Sequence, residues 1–253
     1  MKKILFAATF ALFASTQVFA IAGIGVHYIT NTGSLGASTG SITFTEPTTG
    51  LSEQMIVSQE KSEGLKGLGF KLWIDLLPLV DIEGTFNIAA ARYNTTLIIP
   101  AMGKTIPLNF PVEAPYSMLF DGGASPIYGI ATGDVSVTYP FDVIPLITPY
   151  IGLGVSYFIS TPVVNADFVE KVVATVDITD PTAVDGIGNA VVETLKNSDY
   201  ESGMGGHIIA GVRVKPPIIP IAAYANCKYY FGGNTNSKFS QGLVLEVGGG
   251  FAL

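Results

Sequence analysis

The sequence predicts an all-β fold, an eight-stranded antiparallel up-and-down transmembrane β-barrel with long extracellular loops, one of them partly helical. Three observations lead to this prediction. The chain has 253 residues, of which 48% are hydrophobic and only 13% are charged, about half the roughly 25% of ordinary soluble domains. Its N-terminus has the pattern of an export signal. Several segments alternate between apolar and polar residues with a period of two, as strands with two unlike faces do.

The N-terminal segment has the three parts of a Sec signal peptide. A basic start at Lys2 and Lys3 precedes an apolar run over residues 4–14, and a small-x-small site ends at Ala20. We therefore expect residues 1–20 to be a signal peptide and residues 21–253 to form the barrel domain. No later run reaches the roughly twenty apolar residues of a spanning helix. Because only helices and closed barrels cross a bilayer, the barrel is the remaining architecture.

Eight segments fit the template of a transmembrane strand of about ten residues. They are residues 21–30, 66–76, 81–92, 128–139, 148–159, 204–215, 221–231 and 241–253. Short links with proline follow the second, fourth and sixth strands, and proline ends a strand because it cannot donate to the ladder. Long segments, at about 31–65, 93–127 and 160–203, follow the first, third and fifth. Short turns on one side and long loops on the other are typical of outer-membrane barrels.

The third long segment is expected to contain helices. Asn165 and Asp180 are candidate N-caps, and Pro181 follows at a favoured first helical position. Apolar residues recur after each cap at helical spacing. We expect these helices to pack on the barrel rim, and the alternative is a lid over the opening for a ligand.

Charged side chains fall on the polar side of the predicted strands. Eight of them form a predicted charge network in the lumen: Lys71, Asp75, Glu83, Asp134, Arg213, Lys215, Lys228 and Glu246. Four are basic and four are acidic, and an eight-stranded barrel is just wide enough for side chains to fill. Opposite charges should therefore pair, since unpaired buried charges are costly. A wide pore is not expected, and a narrow conduction path is an alternative.

Two further groups of side chains have predicted positions on the barrel. Arg92, at the outer end of the third strand, is expected to reach the lipid head groups. Aromatic residues near the strand ends are expected to form interfacial girdles, with simple β-propensity as the alternative. They are Tyr28, Tyr93, Tyr128, Tyr139, Tyr157, Phe158, Tyr229, Tyr230 and Phe231.

Neither a catalytic site nor a cofactor or metal site is predicted. The formal charge of −7 leaves no basic stripe for a nucleic acid. His27 and His207 lie far apart in sequence without a local nucleophile, and the single Cys227 excludes an intramolecular disulfide. Each histidine is expected to be hydrogen-bonded inside the lumen.

The segment Thr148-Pro149-Tyr150-Ile151-Gly152-Leu153-Gly154-Val155-Ser156-Tyr157 and the glycine-rich strand from Leu243 to Leu253 carry a family resemblance. Together with the signal peptide and the eight strands, they resemble small Gram-negative outer-membrane barrels of the OmpA-like and OmpW-like kind. The resemblance implies a place in the bacterial outer membrane, among its lipids and lipopolysaccharide. It also implies insertion by the barrel-assembly machinery, which reads a last strand that usually ends in Phe or Trp. Here Phe251 precedes a final Leu253.

The predicted function is that of a non-enzymatic integral outer-membrane barrel with a structural or surface-interaction role and a mostly side-chain-filled lumen. One alternative is a narrow pore or passive transporter for a small hydrophobic ligand. In that case the apolar stretches at 97–102 and 116–120 would line the entrance of the passage. A second is a lipid-modifying enzyme, because some eight-stranded barrels have this activity.

Overall fold

The computed structural model describes residues 22–45, 50, 52–75, 79–108, 125–141, 146–174, 190–191, 193–195, 197–216, 219–233 and 239–252. The signal peptide, the helix start predicted at residues 180–181 and the apolar stretch 116–120 lie outside these residues. The strands are β1 (Ala22–Leu35), β2 (Ser38–Thr45), β3 (Ser52–Gln59), β4 (Ser62–Ile74), β5 (Asp81–Arg92), β6 (Thr95–Ile99), β7 (Lys104–Pro107), β8 (Ile127–Pro140), β9 (Ile147–Ser160), β10 (Glu201–Val214), β11 (Ile221–Gly232), β12 (Phe239–Ser240) and β13 (Leu243–Ala252). A 3-10 turn spans Pro100–Met102, and helix α1 spans Ala166–Val173.

Eight of these strands close into an antiparallel barrel. Their order around the wall is β1-β4-β5-β8-β9-β10-β11-β13, and β1 pairs with both β4 and β13, which closes the ring. The short strand β12 lies on the same edge of β1 as β13 does, and it pairs with the last two residues of β1. The predicted fold is confirmed, with each predicted strand matched by one barrel strand. Within the described residues no helix is long and apolar enough to span a membrane.

Burial alternates along most of each barrel strand, because successive side chains point to opposite faces of the wall. Over the first five residues of β13, Leu243, Leu245 and Val247 are exposed, and Val244 and Glu246 between them are buried. The outer face of the whole barrel repeats this apolar pattern. Exposed side chains of this kind include Val26, Leu68, Phe86, Ile88, Val135, Leu153, Val155, Ile208, Val247 and Phe251. An apolar wall around a polar interior is the result.

A second, four-stranded sheet rises from one side of the barrel. Its order is β2-β3-β6-β7, and three of its strands continue adjacent barrel strands after breaks of only two residues, at 36–37, 60–61 and 93–94. Hydrogen bonds join the breaks laterally: Gln59 Nε2 donates to the carbonyl of Gly36 at 3.0 Å, and the amide of Glu60 donates to the carbonyl of Asn94 at 2.9 Å. The first two long loops therefore prolong the barrel wall.

Helix α1 comes from the third long loop and packs against the inner face of this sheet. Asn165 caps it by accepting a 2.9 Å hydrogen bond from the amide of Phe168, as predicted. Residues 190–191 and 193–195 are also helical. The sheet and the helical residues share one apolar core, made by Ile42, Met55, Val57, Leu97, Ile99, Leu108, Val164, Val169, Val172, Val173 and Val191. We call this assembly the cap. The prediction of packing on the barrel rim was incomplete, because most of the helix's apolar face is buried against the sheet.

Two predictions about side chains near the strand ends were wrong in part. Tyr93, Tyr128, Phe158 and Tyr230 are buried inside, whereas the other five predicted girdle aromatics are exposed on the wall. These four residues lie at inward-facing positions of their strands or directly after a strand end. This position, and not their aromatic character, determines that they are buried. Arg92 does not reach toward lipid but donates from Nη1 to the carbonyl of Ser125 at 2.9 Å.

Candidate functional site

The lumen holds all eight charged residues of the predicted network. Six of them are buried, and Asp75 and Lys215 lie at the end where β1 begins, with side chains 12% and 28% exposed. They form two clusters. The central cluster contains Asp134, Lys228 and Glu246, and the basal cluster contains Lys71, Asp75, Glu83, Arg213 and Lys215 together with Asp81.

The central cluster is built around one ammonium group. Lys228 Nζ lies 2.8 Å from Asp134 Oδ2 and 2.8 Å from Glu246 Oε1, and it donates to Thr85 Oγ1 at 2.6 Å. The side chains of Lys228 and of both carboxylates have no exposed surface. Tyr230 OH donates to Asp134 at 2.9 Å. Each charge is thus held by an opposite charge and by neutral partners, as burial of ions requires.

Amide side chains complete the coordination of Glu246. Asn87 Nδ2 donates to Oε1 and Asn226 Nδ2 donates to Oε2, both at 2.9 Å. Charge-assisted hydrogen bonds of this kind are stronger than neutral ones. The carboxylate therefore has partners on both oxygens and is fixed in position.

The basal cluster is organised by the guanidinium of Arg213. Its Nη1 lies 3.0 Å from Asp75 Oδ1 and 3.3 Å from Asp81 Oδ2, and its Nη2 pairs with Glu83. Lys71 Nζ lies 2.6 Å from the second oxygen of Glu83, and Lys215 pairs with Asp75. The ring of Trp73 lies 5.2 Å from the guanidinium carbon of Arg213, which is within cation–π range.

A tyrosine joins the two clusters. Lys71 Nζ donates to Tyr150 OH at 3.0 Å, and Tyr150 OH in turn donates to Asn226 Oδ1. Because Asn226 also donates to Glu246, one continuous hydrogen-bonded network runs from the basal to the central cluster. The network therefore crosses the lumen from one cluster to the other through direct side-chain contacts.

Both histidines lie in the lumen and both ring nitrogens of each have partners. His27 Nε2 is 2.6 Å from Asn87 Oδ1, to which it donates, and His27 Nδ1 is 3.1 Å from Tyr224 OH. The two ring nitrogens of His207 are each 2.7 Å from a serine hydroxyl, Ser136 on one side and Ser156 on the other. A serine-histidine pair therefore exists, but His207 is 0% exposed. Within the described residues no group of three or more metal-ligating side chains could hold an ion.

Above the central cluster, the interior becomes apolar. Twelve buried side chains form a layer across the cap end of the barrel, which we call the plug: Ile29, Leu35, Leu65, Ala89, Tyr93, Tyr128, Ile130, Phe158, Val163, Tyr230, Phe239 and Val244. A cavity of about 20 Å³ lies between the plug and the polar residues Asn31, Asn87 and Thr132. This is room for about one water molecule.

The plug is also hydrogen-bonded to the cap. Tyr93 OH accepts from the amide of Val164 at 3.0 Å, and Thr95 Oγ1 donates to the carbonyl of Val164 at 3.4 Å. Burial raises the pKa of Tyr93 to about 12, so its hydroxyl stays neutral at physiological pH. Plug and cap are therefore connected through the start of the third loop.

Several lumen residues were not part of the predicted network. Asp81 shares the parity of Glu83 but stands at the first position of its strand, where parity is a weak guide. Three further lumen residues also occupy inward-facing positions of their strands: Tyr150, Asn87 and Asn226. This parity is the sequence signal that identifies them as lumen residues. Which residues they contact depends on how distant strands face each other across the barrel, and the pattern of one strand does not contain this information.

The closed ring, the apolar outer wall and the ionic interior define a transmembrane β-barrel of the bacterial outer-membrane type. No protein-family model matches the sequence, and no curated protein matches it significantly. Solved structures similar to the chain include Ail, the attachment invasion locus protein of Yersinia pestis, with 10% identity, a TM-score of 0.42 and coverage of 91% of this chain and 96% of that one. OprG from Pseudomonas aeruginosa has 11% identity, a TM-score of 0.44 and coverage of 91% and 94%. Neisserial surface protein A has 12% identity, a TM-score of 0.39 and coverage of 92% and 99%.

Proposed function

We propose that this protein is a non-conducting, non-enzymatic outer-membrane barrel that supports a rigid extracellular cap for surface interactions. The observation that carries the proposal is the plug above the central cluster. An ion crossing the lumen would have to leave the polar network and enter an apolar layer, where the adjoining cavity has room for about one water molecule. Desolvation of an ion in such a layer is strongly unfavourable.

The ionic network supports the same proposal in a different way. Its charges are paired with one another and are bonded to neutral side chains, so they are arranged as a packed interior. The transport alternative loses part of its motivation, because Leu97 and Ile99 are fully buried in the cap core. Both belong to one of the two apolar stretches that suggested a ligand passage.

The test is conductance in a planar bilayer. Refolded protein, checked by heat-modifiable migration on a detergent gel, should leave the bilayer silent at high protein load. Discrete conductance steps that change size in Glu83→Gln would contradict the proposal, because this variant alters a residue of the lumen alone.

The enzyme alternative has its own experiment. His207→Ala removes the partner of both Ser136 and Ser156, so a catalytic role would be lost with it. Our proposal expects unchanged lipid A and phospholipid profiles in cells that carry this variant.

The surroundings of the barrel are part of the proposal. The exposed apolar wall fits contact with outer-membrane lipids and lipopolysaccharide, and the alternation in β13 fits recognition by the barrel-assembly machinery. Depletion of that machinery should leave the protein in the periplasm, where proteases degrade it.

A further inference from the structure

The three short turns at the barrel end opposite the cap have an unusual composition. They connect β4 to β5, β8 to β9 and β10 to β11, over residues 76–80, 141–146 and 216–220. Their sequences are Leu-Leu-Pro-Leu-Val, Phe-Asp-Val-Ile-Pro-Leu and Pro-Pro-Ile-Ile-Pro. Turns in water are usually built from Gly, Asn, Asp and Ser besides Pro, and of the first four only Asp142 occurs here. We call these three segments the basal rim.

The basal rim presents apolar side chains on its surface. Within the described residues, exposed ones are Leu79, Phe141, Leu146 and Ile219. Leu146 directly precedes Ile147, and Ile219 lies two positions before Ile221, both of which are exposed on the outer wall. The rim therefore prolongs the apolar surface with which the wall faces lipid.

The backbone of Leu146 shows that an apolar side chain is kept there despite strain. Its φ angle is 76°, in the left-handed region that glycine adopts freely and other residues rarely adopt. The side chain of Leu146 is 52% exposed, so packing within the protein does not account for leucine in place of glycine. An apolar environment outside the protein does.

The backbone of the rim is also suited to a water-poor environment, where each N–H and C=O group needs a partner within the protein. The amide of Lys215 donates to the carbonyl of Leu146 at 3.0 Å, and the amide of Ala252 donates to the carbonyl of Pro220 at 3.1 Å. Proline has no N–H group to satisfy. Six prolines lie in the rim or at its edge: Pro78, Pro140, Pro145, Pro216, Pro217 and Pro220.

The length of the strands places the rim at a membrane boundary. Exposed tyrosines on the cap half of the wall, Tyr157 in β9 and Tyr229 in β11, have positions typical of an interfacial girdle. A tilted strand crosses the bilayer with about 9–11 residues. Counted from these tyrosines toward the base, that length ends at Ile147 in β9 and at Ile221 in β11. The basal rim therefore begins where the hydrocarbon region ends.

We infer that the basal rim inserts into the interfacial region of the lipid leaflet next to it, which is the periplasmic leaflet in the proposed orientation. The three turns are spread around the ring, between the second and third, the fourth and fifth, and the sixth and seventh strands of its order. Lipid surrounds the barrel and contacts all three, whereas a single protein partner would occupy one side. The inference goes beyond the proposed function, which concerns the lumen and the cap.

The first test measures the accessibility of spin labels on the full protein, refolded in vesicles of phosphatidylethanolamine and phosphatidylglycerol. In a Cys227→Ser background, labels are attached to Leu146→Cys and Ile219→Cys in the rim and to Thr105→Cys, an exposed position of the cap. Oxygen concentrates in the bilayer and a neutral nickel chelate in water. The ratio of oxygen to nickel collision rates at both rim positions should be at least threefold higher than at the cap position.

The second test uses Leu146→Asn, for which lipid and water predict opposite signs. Asparagine adopts the left-handed backbone more readily than leucine, so in water the change would relieve strain and lower the unfolding constant. In lipid the rim loses an apolar contact and gains an amide without a partner. The unfolding constant in vesicles, followed by Trp73 fluorescence, should therefore rise at least tenfold. Thr105→Asn in the cap is the control and should leave it unchanged.

Three results would overturn the inference. One is equal access of the nickel chelate to the rim and cap labels, which would leave a periplasmic protein as the occupant. Another is a lower unfolding constant in Leu146→Asn. The third is a rim-label accessibility that changes with the ratio of protein to lipid, which would identify a second copy of the chain. None of them bears on conductance through the lumen, so this inference can fail while the proposed function stands.

Discussion

Replacement of Lys228 by methionine tests whether the lumen network holds the barrel together. The ammonium is completely buried and lies 2.8 Å from a carboxylate oxygen of Asp134 and 2.8 Å from one of Glu246. Methionine has a similar length but no charge, so two buried carboxylates lose their shared cation. Removal of one partner from a buried ion pair costs about 3–5 kcal/mol, and about 3 kcal/mol already corresponds to a roughly hundredfold larger unfolding constant.

The matched control is Lys215→Met. Its ammonium pairs with Asp75, its side chain is 28% exposed, and Asp75 keeps Arg213 as a partner. Partly solvated pairs contribute at most about 1 kcal/mol. The control should therefore lower the free energy of unfolding by less than a third of the loss in Lys228→Met.

Urea unfolding in lipid vesicles measures both variants. Trp73 is the single tryptophan of the chain and is 0% exposed inside the lumen, so its fluorescence reports opening of the barrel. Equal losses in the two variants would refute the reasoning. Addition of Asp134→Asn and Glu246→Gln to Lys228→Met should recover part of the loss, because the uncompensated charges are then gone.

Four other variants test the wall, the plug and the cap. Gly67→Ala should prevent folding into vesicles, since a Cβ there would lie 1.8 Å from a carbonyl oxygen of β5, whereas Gly133→Ala, with no atom within 4 Å, should fold as the parent does. Tyr93→Phe should lower the free energy of unfolding by about 1–3 kcal/mol, because the buried amide of Val164 loses its acceptor, and a pH titration followed by tyrosine absorbance should lose a group near pH 12. Asn165→Ala removes the cap of α1 and should cost about 1 kcal/mol, seen as faster hydrogen exchange in α1 with unchanged exchange in the barrel strands.

The period of two made the barrel predictable from the sequence. A side chain that faces lipid is apolar, whereas the residues next to it in the strand face the lumen and can be polar. The sequence of each strand therefore shows which of its residues face lipid. The same rule placed Lys71, Glu83 and Glu246 inward without any knowledge of their partners. Errors arose where another property was given more weight than parity, as for Tyr230, or where a side chain lay at a strand end, as for Arg92.

The cap sheet was not predicted, although two of its strands show some alternation. Ile42 in β2 lies between the polar Ser41 and Thr43, whereas in β3 only burial alternates: Met55 and Val57 are buried and the apolar Ile56 between them is half-buried. Strand β6 lies in a different long segment, and its pairing with β3 joins residues about forty positions apart. Non-local pairing depends on how the strands below are ordered, and a pattern within one segment does not contain that order.

The charged residues of the lumen also constrain how the barrel assembles. Asp134 and Lys228 are separated by 94 positions, and Glu83 and Arg213 by 130. In a nascent sheet that has not yet curled, Lys228 and Glu83 already have Glu246 and Lys71 on the adjacent strands, whereas Asp134 and Arg213 have no ion-pair partner on a neighbouring strand and must stay hydrated. We therefore expect a half-made sheet to stay out of the hydrocarbon until its first and last strands meet, which would make ring closure and membrane entry one cooperative event.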